Sequence, residues 1–520
     1  MRERNRIAML WTFAPRATPS PVVVPASAKK PTPVRSASRG AMKRAAVLLA
    51  VLLVAASCSG WSSDSTSTSV AATTTSLAPT STVPFIPGDF GIGDEYYPGL
   101  GNGGYDVQHY DLDLAYAADG TVEADVVIAA VATQNLSGFN LDFVGWEIDD
   151  FAVDEIWTEF RRDGDELVIH PVQVLLGEAF EIKISYHGTP EPMQSAALPM
   201  EIGWLTGLRG EQFAVAEPDA AHSWFPSNDH PIDKATFLFA ITVPTGLMGA
   251  ANGELTDVVE SDTTTTYHWS MNAPMAPYLA TVAIGEGWQI VEDPVSTQVA
   301  GLPIRNVLPP DIANDPPTVL RQTGEMINVL EEAFGPYPFD RYGIAVIGFG
   351  SALETQTLSI FARAIVDAPV FEYVHVHELA HQWFGNSVSV AQWSDIWLNE
   401  GFATFSELLW IEHLHGAGAY REEIANRTEI ARVAGLGPPG TPPPNDLFNR
   451  SVYIRGALVL VALRDKIGDD AFFETLHTYT ERYANSNATT DDFIAIAEEI
   501  SGHDLNNLFA TWLYDQAIPG

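Results

Sequence analysis

Polar and apolar residues alternate through much of the first half of the chain. Tyr110, Leu112 and Leu114 are interleaved with Asp111 and Asp113, and Glu181-Ile182-Lys183-Ile184-Ser185-Tyr186 repeats the two-residue period. Successive side chains of a strand point to opposite faces, so this pattern predicts strands with one buried face. The run 237–243 is almost wholly apolar and predicts a buried strand stopped by Pro244, while Asn252-Gly253 marks a hairpin turn. After about residue 301 the period changes. Apolar residues recur three and four apart through 318–334, 371–384, 396–413, 452–467 and 490–500, which predicts helices. A short strand at 343–349 precedes them, 438–444 is a proline-rich loop, and no internal repeat is visible. The predicted organisation is multidomain β + α: an antiparallel β-sheet domain over 95–300, then a mainly helical domain over 301–520.

The first 87 residues follow other rules. Residues 1–41 are rich in Pro, Ser, Ala and Arg without periodicity, and read as disordered or as a mis-assigned start, with translation from Met42. Residues 42–57 have the form of a lipoprotein signal peptide: Lys43-Arg44, an apolar run over 45–56, then Ser57-Cys58. The run is too short for an ordinary membrane span. Val54-Ala55-Ala56-Ser57-Cys58 resembles a bacterial lipobox, and Cys58 is the only cysteine of the chain. A lipid on Cys58 would anchor the protein to the outer face of the cell membrane. The Ser/Thr-rich stretch 58–87 reads as a linker.

Charge narrows the function. The chain has 520 residues and a net charge of −39. Ten of its 27 Lys and Arg fall within residues 1–44 against one acid, Glu3, so the remainder carries 17 basic and 65 acidic residues. Such a surface repels nucleic acid and anionic lipid and attracts cationic groups, among them the free amino end of a peptide. It also serves solubility. A single cysteine excludes an intramolecular disulfide.

Val376-His377-Glu378-Leu379-Ala380-His381-Gln382-Trp383-Phe384 contains H-E-x-x-H. On a helix, positions i and i+4 share a face, so His377 and His381 can hold one zinc ion while Glu378 accepts a proton from a water on the metal. Two histidines on an exposed helix face would give the same local pattern. The second motif, Trp397-Leu398-Asn399-Glu400-Gly401-Phe402-Ala403, separates the two readings. Glu400 lies 19 residues after His381, far enough for one helix to end and another to return with a third ligand. Two His and one Glu leave a position for water, the donor set of a catalytic zinc.

These two segments closely resemble the gluzincin aminopeptidases, the family of aminopeptidase N and leukotriene hydrolase, and the resemblance extends over about 100–515. It implies a thermolysin-like catalytic domain, one zinc per chain held by His377, His381 and Glu400, and Glu378 as general base. Ser451-Val452-Tyr453-Ile454-Arg455-Gly456-Ala457 is similar to the family segment that carries a catalytic tyrosine, which implies that Tyr453 stabilises the oxyanion. The family's G-A-M-E-N appears as Ser351-Ala352-Leu353-Glu354-Thr355, keeping the carboxylate that binds the substrate's α-amine but not its neighbours. Glu217-Pro218-Asp219-Ala220-Ala221-His222-Ser223-Trp224-Phe225-Pro226-Ser227-Asn228-Asp229 is similar to a second amine-binding segment, with His222 and Ser227 where the family has Arg and Cys. It makes Glu217 a further candidate for amine binding. Met275-Ala276-Pro277-Tyr278-Leu279 matches a family strand and reads as structural.

His375 projects away from the metal face, and His413 and His415 read as surface residues. Large members of the family continue into a long helical domain, so a more open site is expected here. The expected activity is removal of N-terminal residues from peptides with a free amino end, outside the membrane. The altered G-A-M-E-N leaves an endopeptidase or another zinc hydrolase as an alternative. A surface binding lipoprotein without turnover is a second. Oligomeric state is open.

Overall fold

A computed structural model describes residues 83–519. Cys58, the expected signal peptide at 42–57, residues 1–41 and the linker before Val83 lie outside the described residues.

The N-terminal half is built on sheets. The largest has eight strands in the order Glu254–Glu260, Thr264–Met275, Ala235–Pro244, Tyr105–Tyr116, Val122–Ala132, Ala179–Gly188, Glu147–Val153 and Ile156–Trp157. Its alternation is what the sequence shows: Tyr110, Leu112 and Leu114 are buried, and Asp111 and Asp113 lie on the opposite, exposed face. Every pairing in it is antiparallel except one, since Ala235–Pro244 runs parallel to Tyr105–Tyr116. That strand buries Ala235, Phe237, Phe239, Ile241 and Val243 on one face, while Leu238 on the other is 40% exposed. The apolar run is therefore a one-sided strand and not a fully buried one. Asn252-Gly253 also departs from expectation. Gly253 takes a left-handed φ of 80°, but the strands it joins belong to different sheets. The turn switches sheets and makes no hairpin. Smaller sheets of four and five strands complete this half.

The second half adds a five-stranded sheet of Gln289–Glu292, Arg305–Leu308, Ile344–Ile347, Ser359–Ala362 and Ala352–Leu353, of which only Ile344–Ile347 answers to a predicted strand, the one at 343–349. Ala352–Leu353 is its short edge strand, antiparallel to Ser359–Ala362. Three helices position the site: α1, Phe371–Ala380; α2, Trp397–Ala434; and α3, Gly456–Ile467. The stretch 371–384 is helical through Ala380, where the chain begins to turn, and α2 continues beyond 413 after a break at Gly416. Phe384, which follows α1, stacks on Phe402 of α2 at 4.2 Å, and Phe402 meets Phe493 edge-on at 5.1 Å. Each such pair contributes about 1 kcal/mol beyond its buried area, and together they fix α1 against α2 below the site.

Candidate active site

One helical turn separates His377 from His381, so both imidazoles leave α1 on the same side, with ring centres 4.9 Å apart. Carboxylates and carbonyls only accept, so their partners assign the tautomers. His377 Nδ1 donates to Glu407 Oε1 (3.0 Å), and His381 Nδ1 donates to the Phe384 carbonyl (3.0 Å). Both Nε2 atoms then face Glu400 Oε2, at 3.3 and 3.5 Å. Glu400 enters from the first turn of α2, where the helix dipole favours a carboxylate. The ligand atoms of all three residues lie within 4.8 Å of one another, and Glu400 Oε2 accepts no hydrogen bond among the described residues. Two nitrogens and a carboxylate oxygen converging on one buried point fit zinc.

The electrostatics agree. Burial opposes charge on His377, yet Glu400 and Glu407 hold its imidazole up at about 10. Burial likewise opposes charge on Glu400, but the two imidazoles draw it down to about 2. The cluster favours positive charge where its ligand atoms meet. Burial pushes Glu378 up to about 8, with His377 and His381 opposing and Glu354 and Glu400 reinforcing the shift.

Behind the ligands stand residues that the sequence did not single out. Glu407 Oε2 accepts from Arg427 Nη2 (2.6 Å), and Arg427 also reaches the Thr404 carbonyl (3.2 Å) and Glu423 (3.1 Å). In an unbroken helix Thr404 and Arg427 would be about 34 Å apart along the axis. Gly416, with φ 78° and ψ 171°, folds the second half of α2 back onto the first and makes these contacts possible.

Tyr453 lies on a π-helical turn, Ser451–Arg455, immediately before α3. Its hydroxyl donates to Glu400 Oε1 (3.2 Å), and its ring lies 6.1 Å from that of His377. Two glycines bring it there. A Cβ on Gly456 would stand 2.9 Å from Gly401 Cα, so α2 and α3 touch backbone to backbone, one residue past Glu400 and three past Tyr453. Burial, then Glu400, raises the Tyr453 hydroxyl well above its ordinary value, so it remains a donor.

Glu354 follows the edge strand, and its carbonyl accepts from Gln382 (3.1 Å) and Asn386 (2.7 Å), which follow His381. Its carboxylate lies with those of Glu378 and the His381 ring in a second group spanning no more than 4.8 Å. Thr355 donates its hydroxyl to the Leu358 carbonyl. Glu217 arrives from the β-sheet half. Burial and then Glu354 raise it well above the carboxylate range, and burial raises Glu354. Oε1 of each accepts no hydrogen bond among the described residues. Tyr278, expected to be structural, donates to the Gly385 carbonyl (3.3 Å) just past α1.

His222, at the position of the family arginine, pairs with Asp229 through Nδ1 (2.7 Å) and through its main-chain N–H (3.0 Å). It braces the loop that carries Glu217 and does not enter the site. His375 is buried against Phe371, Phe361 and Tyr342, and His413 and His415 are exposed.

Residues 319–512 match the Peptidase family M1 domain, and residues 106–279 match the Peptidase M1 N-terminal domain. Aminopeptidase M1 of Arabidopsis thaliana is 29% identical over 458 residues, which are 79% of this chain and 50% of that protein. The chain spans about half the length of the curated relatives it matches, or less. The structure of the M1 zinc metallopeptidase from Deinococcus radiodurans superposes with a TM-score of 0.75 at 31% identity, covering 83% of this chain and 98% of that one. A variant of that enzyme bound to a Tyr-Ser-Ala substrate matches at 30% identity, over 83% of this chain and 99% of its own. With both family domains in order, and a relative of this identity matched over nearly its whole length, the chain belongs to peptidase family M1.

Proposed function

We propose that the protein is a zinc aminopeptidase that removes single residues from the free amino end of peptides. The observation that carries this reading is the pair Glu217 and Glu354, buried beside the metal-ligand cluster with one unpartnered oxygen each. Two acids in a closed site call for a cation, and an α-ammonium supplies both the charge and the donors. Anchoring that ammonium at a fixed distance from the ligands places the first peptide bond at the reacting centre.

A zinc ion held by His377, His381 and Glu400 supplies Lewis-acid polarisation of the scissile carbonyl and acidifies a water. The remaining work belongs to the chain. Glu378 takes a proton from the attacking water at its carboxylate and returns it to the leaving amine. The Tyr453 hydroxyl, which donates to Glu400 Oε1, is taken as the donor to the carbonyl oxygen as negative charge develops there. Glu407 and the Phe384 carbonyl hold the two imidazoles in orientation. The reading takes one ion per chain, and what supports it is that the second converging group, Glu354, Glu378 and His381, shares His381 with the first.

The experiment is digestion of a pentapeptide with identified products, with and without a chelator. The reading expects the N-terminal residue to be released first, activity to vanish on chelation, and zinc to restore it. An internal or C-terminal first cut would overturn it.

For location, the sequence supports a lipid on Cys58 and attachment to the outer face of the cell membrane. Among the described residues no helix is long and apolar enough to cross a membrane. Incorporation of labelled fatty acid into the parent but not into Cys58→Ala tests it, and equal labelling contradicts it.

A further inference from the structure

Arg455 stands two residues after Tyr453, on the same π-helical turn, and is fully buried. Its five acceptors are all main-chain carbonyls. Nε donates to Trp512 (2.9 Å), Nη2 to Thr511 (3.2 Å) and Asp515 (2.5 Å), and Nη1 makes longer contacts to Gln516 (3.4 Å) and Leu436 (3.5 Å). Thr511 and Trp512 belong to a second π-helical turn, Ala510–Tyr514, near the C-terminal end of the chain. The last carbonyls of a helical turn have no partners within it, and a cation placed there satisfies them. A guanidinium can serve several at once because its donors form a fixed planar fork, whereas an ammonium has three donors on a flexible stem.

The contacts reach further. Leu436 follows the left-handed Gly435 that ends α2, and the next carbonyl, Gly437, accepts from Ser451 at the start of the Tyr453 turn. Gly440 donates its N–H to the Leu513 carbonyl (3.0 Å). The end of α2, the terminal segment and the turn bearing Tyr453 therefore meet around one side chain. Gly456 on Gly401 sets how close the turn comes to Glu400. Arg455 fixes it from the other side.

We propose that Arg455 is a positioning residue for Tyr453: clamped to the carbonyls of the terminal segment, it holds the tyrosine turn so that the hydroxyl points into the site. This rests on the reading of Tyr453 as a participant in the reaction.

A double-mutant cycle on the zinc-loaded full chain tests it, with steady-state kinetics on a free-amine peptide and zinc content measured for each variant. Tyr453→Phe alone tests the underlying reading, which fails if kcat is unchanged. Arg455→Met is expected to lower kcat by about ten- to a hundredfold, as for a displaced catalytic group, with KM and zinc content retained. In the Tyr453→Phe background the same change should cost almost nothing, because the group it positions is already gone. Arg455→Lys, which keeps the charge with fewer donors, should fall between parent and Met, and it serves if the Met variant does not fold. An equal fold-loss from Arg455 substitution in both backgrounds, a loss confined to KM or zinc content, or full activity of Arg455→Met would each overturn the proposal.

Discussion

At the scale of single residues, the site separates groups that need charge from groups that must not have it. In the proposed mechanism Glu378 carries the proton and Tyr453 donates to the developing negative charge. Glu378→Gln removes the base but keeps size and polarity, and kcat is expected to fall by about a hundred- to ten-thousandfold with zinc still bound. Metal analysis beside the kinetics checks both halves of that statement. His375 is the opposite case. It lies within α1, two residues before His377, yet both ring nitrogens are buried without a partner among the described residues. It packs on Phe371 at 5.4 Å with the rings nearly parallel. An unsatisfied buried polar group costs about 1–3 kcal/mol, so His375→Phe is expected to raise stability by about 1 kcal/mol once any overpacking is allowed for. Urea unfolding would show it, and a destabilised variant would mean that an unseen partner satisfies the ring.

At the scale of elements, the legible and the illegible parts of the site divide along one line. His377, Glu378 and His381 could be read because the helical period is local: four residues make one turn wherever the helix lies. Glu400 could be read because a second motif names it. Glu407 and Arg427 could not. Both lie on α2, but they meet only because Gly416 breaks the helix and reverses its direction, and no period in the sequence marks the contact. The turn Asn252-Gly253 was misleading for a related reason. Asn252 donates to the carbonyls of Leu279 (3.0 Å) and Gln356 (2.8 Å), and the Gly253 N–H reaches Thr357 (2.9 Å), so it braces the segment after Glu354 instead of closing a hairpin. Of the sheet that contains Ile344–Ile347, the other four strands escaped because they are only two to four residues long. The folded-back helix carries its own prediction. Glu407→Gln should weaken zinc binding by about ten- to a hundredfold, as for other groups that orient a metal-bound histidine. Competition with a chromophoric chelator measures it, and an unchanged affinity would leave the Glu407–Arg427 contact with a purely structural role.

At the scale of the whole molecule, the site exists only because two halves are held together. Lys234 donates to the Asn386 (2.9 Å) and Ser387 (2.8 Å) carbonyls just past α1. Asp94 accepts from the Trp393 N–H (2.7 Å) and meets His230 at 3.2 Å. These contacts hold the Glu217 loop against the ligand helices. Inside that loop, His222 is expected to make stability depend on pH. Burial opposes its charge, but Asp229 holds its pKa at about 9, above the ordinary 6.5. A raised folded-state pKa gives stability that is complete below pH 6.5 and is lost as pH rises through about 9. The parent should therefore exceed His222→Gln by on the order of 3 kcal/mol near pH 6, with the gap closing by pH 9 to 10. A gap independent of pH would show that the pair contributes through packing and neutral hydrogen bonding alone.

The central claim is that this cleft recognises a free amino end beside a zinc site. The most direct measurement compares kcat/KM for one peptide with its α-amine free and the same peptide N-acetylated. Leaving Glu217 and Glu354 without their cation should cost at least about 2 kcal/mol, so the free peptide is expected to react at least about thirtyfold faster. Equal rates on the two peptides would contradict the account, because the two buried carboxylates would then have no part in choosing the substrate.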